Sequence, residues 1–320
     1  MENNVTIANF NVTFGKMDEP LLDYFDTIVY PAFVSGIHRF RRVAEKQYDQ
    51  YYFIDVKIVE PEEEDYILTG KLVKETILEV KSKIENNELV ATDEHYPSAP
   101  YSVFYIYLKN HRMVLIKNQK GSPDIKNFGV TARFILKNFI KKYNDNIKES
   151  NEEKMDFMPF ARVEVIGIPM KKDLKDALEK VTKIKKLKLR MYPLNGDLDL
   201  NPIVDSLSND LRKLVGSKTG NVTLNSPESK KGVVELIDAS QGVFDASLEV
   251  EYADKSTEKI SNEKYSGKTT WNYSEEQIND IDSVKESIYS LESIKAVSKG
   301  NLKIYKRAKE KVKKIIQSTN

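Results

Sequence analysis

Period-two alternation over much of the first 120 residues constrains this chain most, because a strand is the element that sends successive side chains to opposite faces. Phe10, Val12 and Phe14 alternate with polar partners, and so do Ile54, Val56 and Ile58 within Tyr52 to Val59. Pro61 and the acidic run Glu62-Glu63-Glu64-Asp65 supply a turn, and Tyr66 to Val73 returns. Tyr101 to Leu108 and Met113 to Ile116 read as a hairpin around Asn110-His111, while residues 74–84 fit strand and helix equally. An antiparallel meander follows from this pattern. Leu21, Leu22, Phe25, Ile28 and Val29 interrupt it with helical spacing over residues 21–33.

A helix at about 128–143 comes next. Phe128, Ala132, Ile135, Leu136, Phe139, Ile140 and Tyr143 share one face, and Arg133, Lys137 and Lys141 run at i,i+4 spacing on another. Asn144 to Lys154 is polar and reads as a linker. Beyond it, a strand at Val163 to Ile168, a helix at 171–184 and a strand at 186–192 make a β-α-β succession. Helices are expected at Pro202 to Val215 and after Ser226-Pro227-Glu228, with a strand at Ala246 to Tyr252 and Trp271 in a loop or short strand. Ser274-Glu275-Glu276-Gln277 is a capping box. It opens a helix carrying Ile278, Ile281, Val284, Ile288, Leu291 and Ile294, which Gly300 ends before a last helix runs to about residue 317. The expected class is α+β. An antiparallel-sheet domain spans residues 1–150, and a β-α-β-containing domain with C-terminal helices spans 155–320.

Charge is the next informative feature. The net charge is only +1, yet the signs are sorted: residues 1–108 hold an acidic excess, and Lys109–Lys148, Lys180–Arg190 and Lys295–Lys314 are basic. Such blocks create local fields that a mixed surface lacks. Lys186, Lys188 and Arg190 alternate with Leu187, Leu189 and Met191, which on a strand gives a row of cations about 7 Å apart. That is near the phosphate spacing of one nucleic-acid strand. In the final helix, Leu302, Tyr305, Ala308, Val312, Ile315 and Ile316 form an apolar stripe. Lys303, Lys306, Arg307, Lys311, Lys313 and Lys314 cover most of the remainder. His38-Arg39-Phe40-Arg41-Arg42 sets three guanidiniums around an aromatic ring, a phosphate-contact candidate through Arg41 and Arg42, or else a helix end with arginines folded over the core. Each of these basic groups also has a plainer reading as a solvated face.

Signatures of catalysis are thin. There is no Walker A loop, GxGxxG or GxSxG, and His38, His95 and His111 share no ligand spacing. Neither a metal nor a cofactor is expected. Asp65 followed by Glu79-Val80-Lys81 has the form of a restriction-type nuclease core, and Asp245, Glu249 and Glu251 read as a solvated acidic strand face. The chain contains no cysteine, Met1-Glu2-Asn3-Asn4 lacks the features of a secretory signal, and no apolar run approaches the about 20 residues of a membrane span. A cytoplasmic location is expected.

The layout of the second half resembles that of RexA-type phage-exclusion proteins. It has a Lys-rich β-α-β stretch ending in Lys186-Leu187-Lys188-Leu189-Arg190, then the strand Ala246-Ser247-Leu248-Glu249-Val250-Glu251, then a capped helix with a basic tail. The hairpin Tyr101 to Ile116 and the helix after it have a counterpart in the first half. The likeness is one of layout and short strings over about two-thirds of the chain, and this chain is longer, with an extra helix near 228–240. It implies a homodimer that binds DNA without sequence specificity in abortive infection or prophage exclusion, and a second defence-system protein is a further expected partner. The expected function is therefore phosphate-mediated binding of double-stranded DNA (or RNA) by Lys186, Lys188, Arg190, Lys303, Lys306, Arg307, Lys313, Lys314, Arg41 and Arg42. The competing expectations are a metal-dependent nuclease and a self-assembling interaction protein without enzymatic activity.

Overall fold

Apolar residues on both faces of the first strand, β1 (Glu2–Phe14), place it inside a two-sided structure rather than at a solvated sheet surface. Val5 and Ile7 enter one core, while Ala8, Phe10, Val12 and Phe14 enter another. The computed structural model describes residues 2–45, 47–150, 156–195, 206 and 211–319. The fold is α+β, with two antiparallel sheets.

The larger sheet has ten strands. Besides β1 it contains β2 (Glu19–Pro20), β3 (Arg39–Ala44), β4 (Gln47–Val59), β5 (Ile67–Glu85), β6 (Glu88–Ser98), β7 (Tyr101–Tyr107), β8 (Arg112–Lys117), β9 (Ala161–Gly167) and β14 (Lys268–Asn272). Its main path runs β14-β1-β8-β7-β5-β4-β3, with β9 also on β1 and β6 on β5. The expected meander is present, and residues 74–84 are strand. His111 makes the β7–β8 turn at φ 56°. The smaller sheet has the order β11-β10-β12-β13, built from β10 (Val181–Met191), β11 (Gly220–Asn225), β12 (Phe244–Tyr252) and β13 (Thr257–Ser261).

Helices cover both faces of the large sheet. On one lie the segment Leu21–Phe33, which ends in α1 (Tyr30–Phe33), then α2 (Ile125–Ser150) and the C-terminal helix Lys299–Thr319. Phe10, Phe33, Phe53, Phe104 and Phe128 pack edge-on, tilted or stacked at their centre, at ring separations of 4.5–6.3 Å. On the opposite face, Ile278, Ile281, Val284, Ile288 and Ile294 pack on Val103, Tyr105, Tyr107, Val114 and Ile116. The small sheet buries Leu187, Leu189, Leu248 and Val250 against α3 (Lys171–Leu178) and the helix Lys230–Ala239.

Several expectations need correction. The β-α-β succession exists along the chain as β9, α3 and β10, but β9 pairs with β1 while β10 founds the small sheet. The two strands therefore do not form one parallel crossover. The sheets do not divide at residue 150, since β9, β14 and the C-terminal helix all complete the first. The expected linker begins as helix: α2 continues to Ser150, with Ile147 buried and Asn144 exchanging two hydrogen bonds with the Met158 backbone. The helix from Ser274 is three pieces, Glu275–Ile278, Ile281–Tyr289 and Glu292–Lys295. The capping box of Ser274 and Gln277 is present, but Asp280 then accepts from the Asp282 and Ser283 amides and caps a second start. Gly300 lies inside the C-terminal helix rather than ending its predecessor. The helix expected at Pro202 to Val215 falls mostly outside the described residues, with Leu211–Leu214 helical.

Candidate functional site

Strand β10 presents the basic row as its alternation requires. Leu187, Leu189 and Met191 are buried, while Lys188 and Arg190 are exposed and Lys186 half-buried on the other face. The neighbouring strands decide what this row can do. On β12, Lys186 stands opposite Glu249, Lys188 opposite Ser247, and Arg190 opposite Asp245. On the other side, β11 contributes Asn225, Thr223 and Asn221 at the same levels. Lys186 is ion-paired to Glu249 at 3.3 Å. The face is therefore a cation row between a neutral column and an acidic one, and Lys188 has no ion pair among the described residues.

The Arg190 end of that row opens into a cleft of about 450 Å³ between the small sheet, β9 and α2. Its walls include Lys126 and Arg133 from α2, Glu164 from β9, and Arg190, Tyr192, Asp245 and Asn262 from the small-sheet side. Close packing sets this geometry. A Cβ on Gly129 of α2 would come within 3.2 Å of the Val165 side chain, so glycine lets the helix lie against β9. Arg133 then reaches past it, donating from Nε to the Val163 carbonyl at 3.1 Å and meeting Glu164 at 3.2 Å. The Arg190 guanidinium sits 5.2 Å from the Tyr192 ring centre. Burial pushes the Glu164 and Asp245 carboxyls above their ordinary range, against the pull of Arg133 and Arg190. Burial also pushes the Tyr192 phenol up to about 12, so it stays neutral.

From Arg133 the α2 stripe continues through exposed Lys137 and Lys141. One turn separates each from the next, about 6 Å along the axis. The stripe looks outward from the helix-covered face of the large sheet, the face that also carries the C-terminal helix.

The C-terminal helix is less free than its sequence suggests. Tyr305, Ala308 and Val312 are buried, and Tyr305 donates its hydroxyl to the Glu64 carbonyl at 2.6 Å. Leu302, expected in the buried stripe, is 39% exposed, and Ile304 packs in its place. Arg307 is ion-paired to Asp23, Lys309 to Glu64 at 2.6 Å and Lys311 to Asp26 at 3.4 Å. The acidic residues of the first half thus hold the basic helix of the same chain. Lys303, Lys306, Lys313 and Lys314 remain exposed and have no ion pair among the described residues.

The arginines of residues 38–42 are on an edge strand, not at a helix end, and do not ring an aromatic group. Arg39 is buried, its guanidinium 4.1 Å over the Tyr51 ring and its Nε donating to Thr131 at 3.0 Å. Arg41 and Arg42 are exposed on β3, opposite Asp49 and Tyr48.

The nuclease-like residues do not assemble. Asp65 is buried beside Lys109 at 3.2 Å and the Tyr289 hydroxyl at 2.6 Å. Glu79 lies twelve residues beyond the start of β5, about 40 Å along the strand at 3.3 Å per residue, where it pairs with Lys81 at 3.3 Å. Lys81 also meets Asp93 at 2.7 Å. Among the described residues no group of three or more His, Asp or Glu side chains could hold a metal ion. No described helix is long and apolar enough to cross a membrane.

Tyr192, Glu164 and Asn262 were not marked by any sequence motif. Glu164 is one of many acids on short strands, and its partner Arg133 lies 31 positions away. Only the packing of β9 on α2 brings them together. No protein-family model matches this chain, and no curated protein matches it either.

Proposed function

We propose that this protein binds double-stranded DNA (or RNA) through phosphate contacts and without reading base sequence. The observation that carries the proposal is the cleft. Arg133 of the α2 stripe and Arg190 of the β10 row, remote in sequence, line one open depression with Lys126, among the carboxyls Glu164, Asp245 and Glu263, so the ends of two basic arrays meet there. Guanidiniums supply bidentate forks for phosphate, and Lys186, Lys188, Lys137 and Lys141 act as point charges to either side. Lysine and arginine point charges and forks of this kind suit backbone positioning rather than base readout. Lys303, Lys306, Lys313 and Lys314 extend the contact surface on the side where α2 lies. Arg307 and Lys186 are already held by carboxylates of the chain, as Arg133 is by Glu164, so each offers phosphate only the donors those contacts leave over. The resemblance in layout to phage-exclusion proteins favours a role in phage defence in the cytoplasm, beside a second defence protein.

Fluorescence anisotropy on unrelated duplexes over a salt series tests this. Similar affinities are expected, with log K falling linearly in log salt at about 0.9 per neutralised phosphate. Changing Arg133, Lys137, Lys188 and Arg190 together to Gln should lower the slope by up to about four contacts' worth and weaken binding to every sequence alike. A salt-independent affinity, or strong preference for one short site, overturns the proposal.

A further inference from the structure

Strands β5 and β6 outrun the rest of the sheet. From Ile67 to Val73, β5 is flanked by β7 and β4, but from Thr76 onward it pairs only with β6. The result is a two-stranded ribbon turned at Asn86 and Asn87, both at positive φ as a tight hairpin requires. Cross-strand pairing sets Leu78 opposite Tyr96, Ser82 opposite Ala91 and Ile84 opposite Leu89 on one face. By the alternation of β5, this is the same face that carries Leu68 and Leu72 into the core beneath the helices. Here no described element covers it. Leu78 is 57% exposed, Ile84 70%, Leu89 73% and Tyr96 50%.

An isolated two-stranded ribbon is marginal in water. Its apolar face exposes roughly 500 Å², the upper end of what a monomer usually tolerates. We infer that a second copy of this chain covers it, ribbon on ribbon, about a two-fold axis near Ser82 and Ala91. With that axis, Ile84 and Leu89 at the tip of one ribbon meet Leu78 and Tyr96 at the base of the other, so every large apolar residue gains a partner. The two faces together remove up to roughly 1,000 Å², the floor for a biological interface and the size of a weak, reversible one.

Charge argues against a nucleic acid or an anionic membrane as the occupant. Lys81 and Lys83 stand against Glu79, Glu85, Glu88, Asp93 and Glu94, so the ribbon repels phosphate backbones and anionic lipid headgroups alike. Most of those charges are paired within the ribbon, and the Glu94–Lys83 pair alone reaches the apolar face. Lys81 pairs with Glu79 and Asp93, and Lys83 with Glu85. Glu94, the acid on the apolar face, is held by Lys83 at 2.9 Å and by the Tyr96 hydroxyl at 2.5 Å.

Sedimentation equilibrium of the full chain tests the inference. A dimer is expected at micromolar concentration, and the double variant Ile84→Lys, Leu89→Lys should sediment as a folded monomer, with the parent's far-ultraviolet dichroism and a melting temperature that no longer depends on protein concentration. The chain has no cysteine, so Ala91→Cys should cross-link to itself across the axis on mild oxidation, while Lys81→Cys on the reverse face should not. A parent that stays monomeric, a dimer that survives the double Lys change, or a dimer in which Ala91→Cys fails to cross-link overturns it. None of these residues belongs to the phosphate-contact surface, so failure here and failure of nucleic-acid binding are read separately.

Discussion

Burial holds the Glu164 and Asp245 carboxyls above their ordinary range in a cleft that also contains Lys126, Arg133, Arg190, Tyr192 and Glu263. Carboxyls raised in this way favour the fold while protonated, and that contribution is lost as pH rises through their folded values. On acidification they lose negative charge while the arginines keep theirs. Affinity for duplex DNA at fixed salt should therefore rise on acidification from neutral pH toward the ordinary carboxylate range. The double variant Glu164→Gln, Asp245→Asn should bind at neutral pH as the acidified parent does, with most of the pH response gone. Equal pH profiles for parent and variant would place the binding surface elsewhere. The same scale shows why short motifs misled. Asp65, which spacing suggested as a metal ligand, is buried between Lys109 and Tyr289, and Arg39 is a packed side chain over Tyr51 rather than a surface cation.

Amphipathic spacing identified the C-terminal helix and most of its buried face, because the 3.6-residue period survives any tertiary context. It did not say how wide that face is. Val312 is fully buried against the segment Leu21–Phe33, whereas Leu302 lies beyond the edge of the contact. Val312→Ala should cost about 1–3 kcal/mol through lost transfer energy and the cavity left behind. Leu302→Ala should stay within about 0.5 kcal/mol, as exposed positions usually do. Thermal or urea unfolding of the two variants checks the difference, and equal losses would mean that Leu302 is covered in solution. The run of apolar residues from Ile278 to Ile294 shows the opposite case. Its periodicity is continuous, but Asp280 competes as a cap and divides the helix, a choice that side-chain hydrogen bonding makes locally.

The chain crosses between the two sheets and comes back. Residues beyond 155 supply β9 and β14, both hydrogen-bonded to β1, and the C-terminal helix that buries Tyr305 and Val312 in the first core. Between those returns the chain builds the small sheet, tied to the large one by Arg112 donating to the Gln241 carbonyl at 2.8 Å and by Asn262 donating to the Gly167 carbonyl at 2.9 Å. A fragment of residues 1–150 would leave the β1 edge and one side of the aromatic core open. It is expected to be insoluble or molten, with weak near-ultraviolet dichroism and a broad unfolding transition. A fragment that melts cooperatively at the temperature of the full chain would show that residues 1–150 form a self-sufficient unit.

By itself the sequence determined the α+β class, the β7–β8 hairpin, most of the face that the C-terminal helix buries, and the one-sided cation row of β10. All of these depend on residue spacing or on turn and capping chemistry within a few positions. Tertiary structure alone decided which strand pairs with which, that Arg133 and Arg190 share a cleft, and that Asp23, Asp26 and Glu64 take up Arg307, Lys311 and Lys309. Those outcomes depend on residues brought together across long separations, where many lysines and carboxylates could pair equally well. The burial of the cores selects one arrangement, and the charges are placed by it.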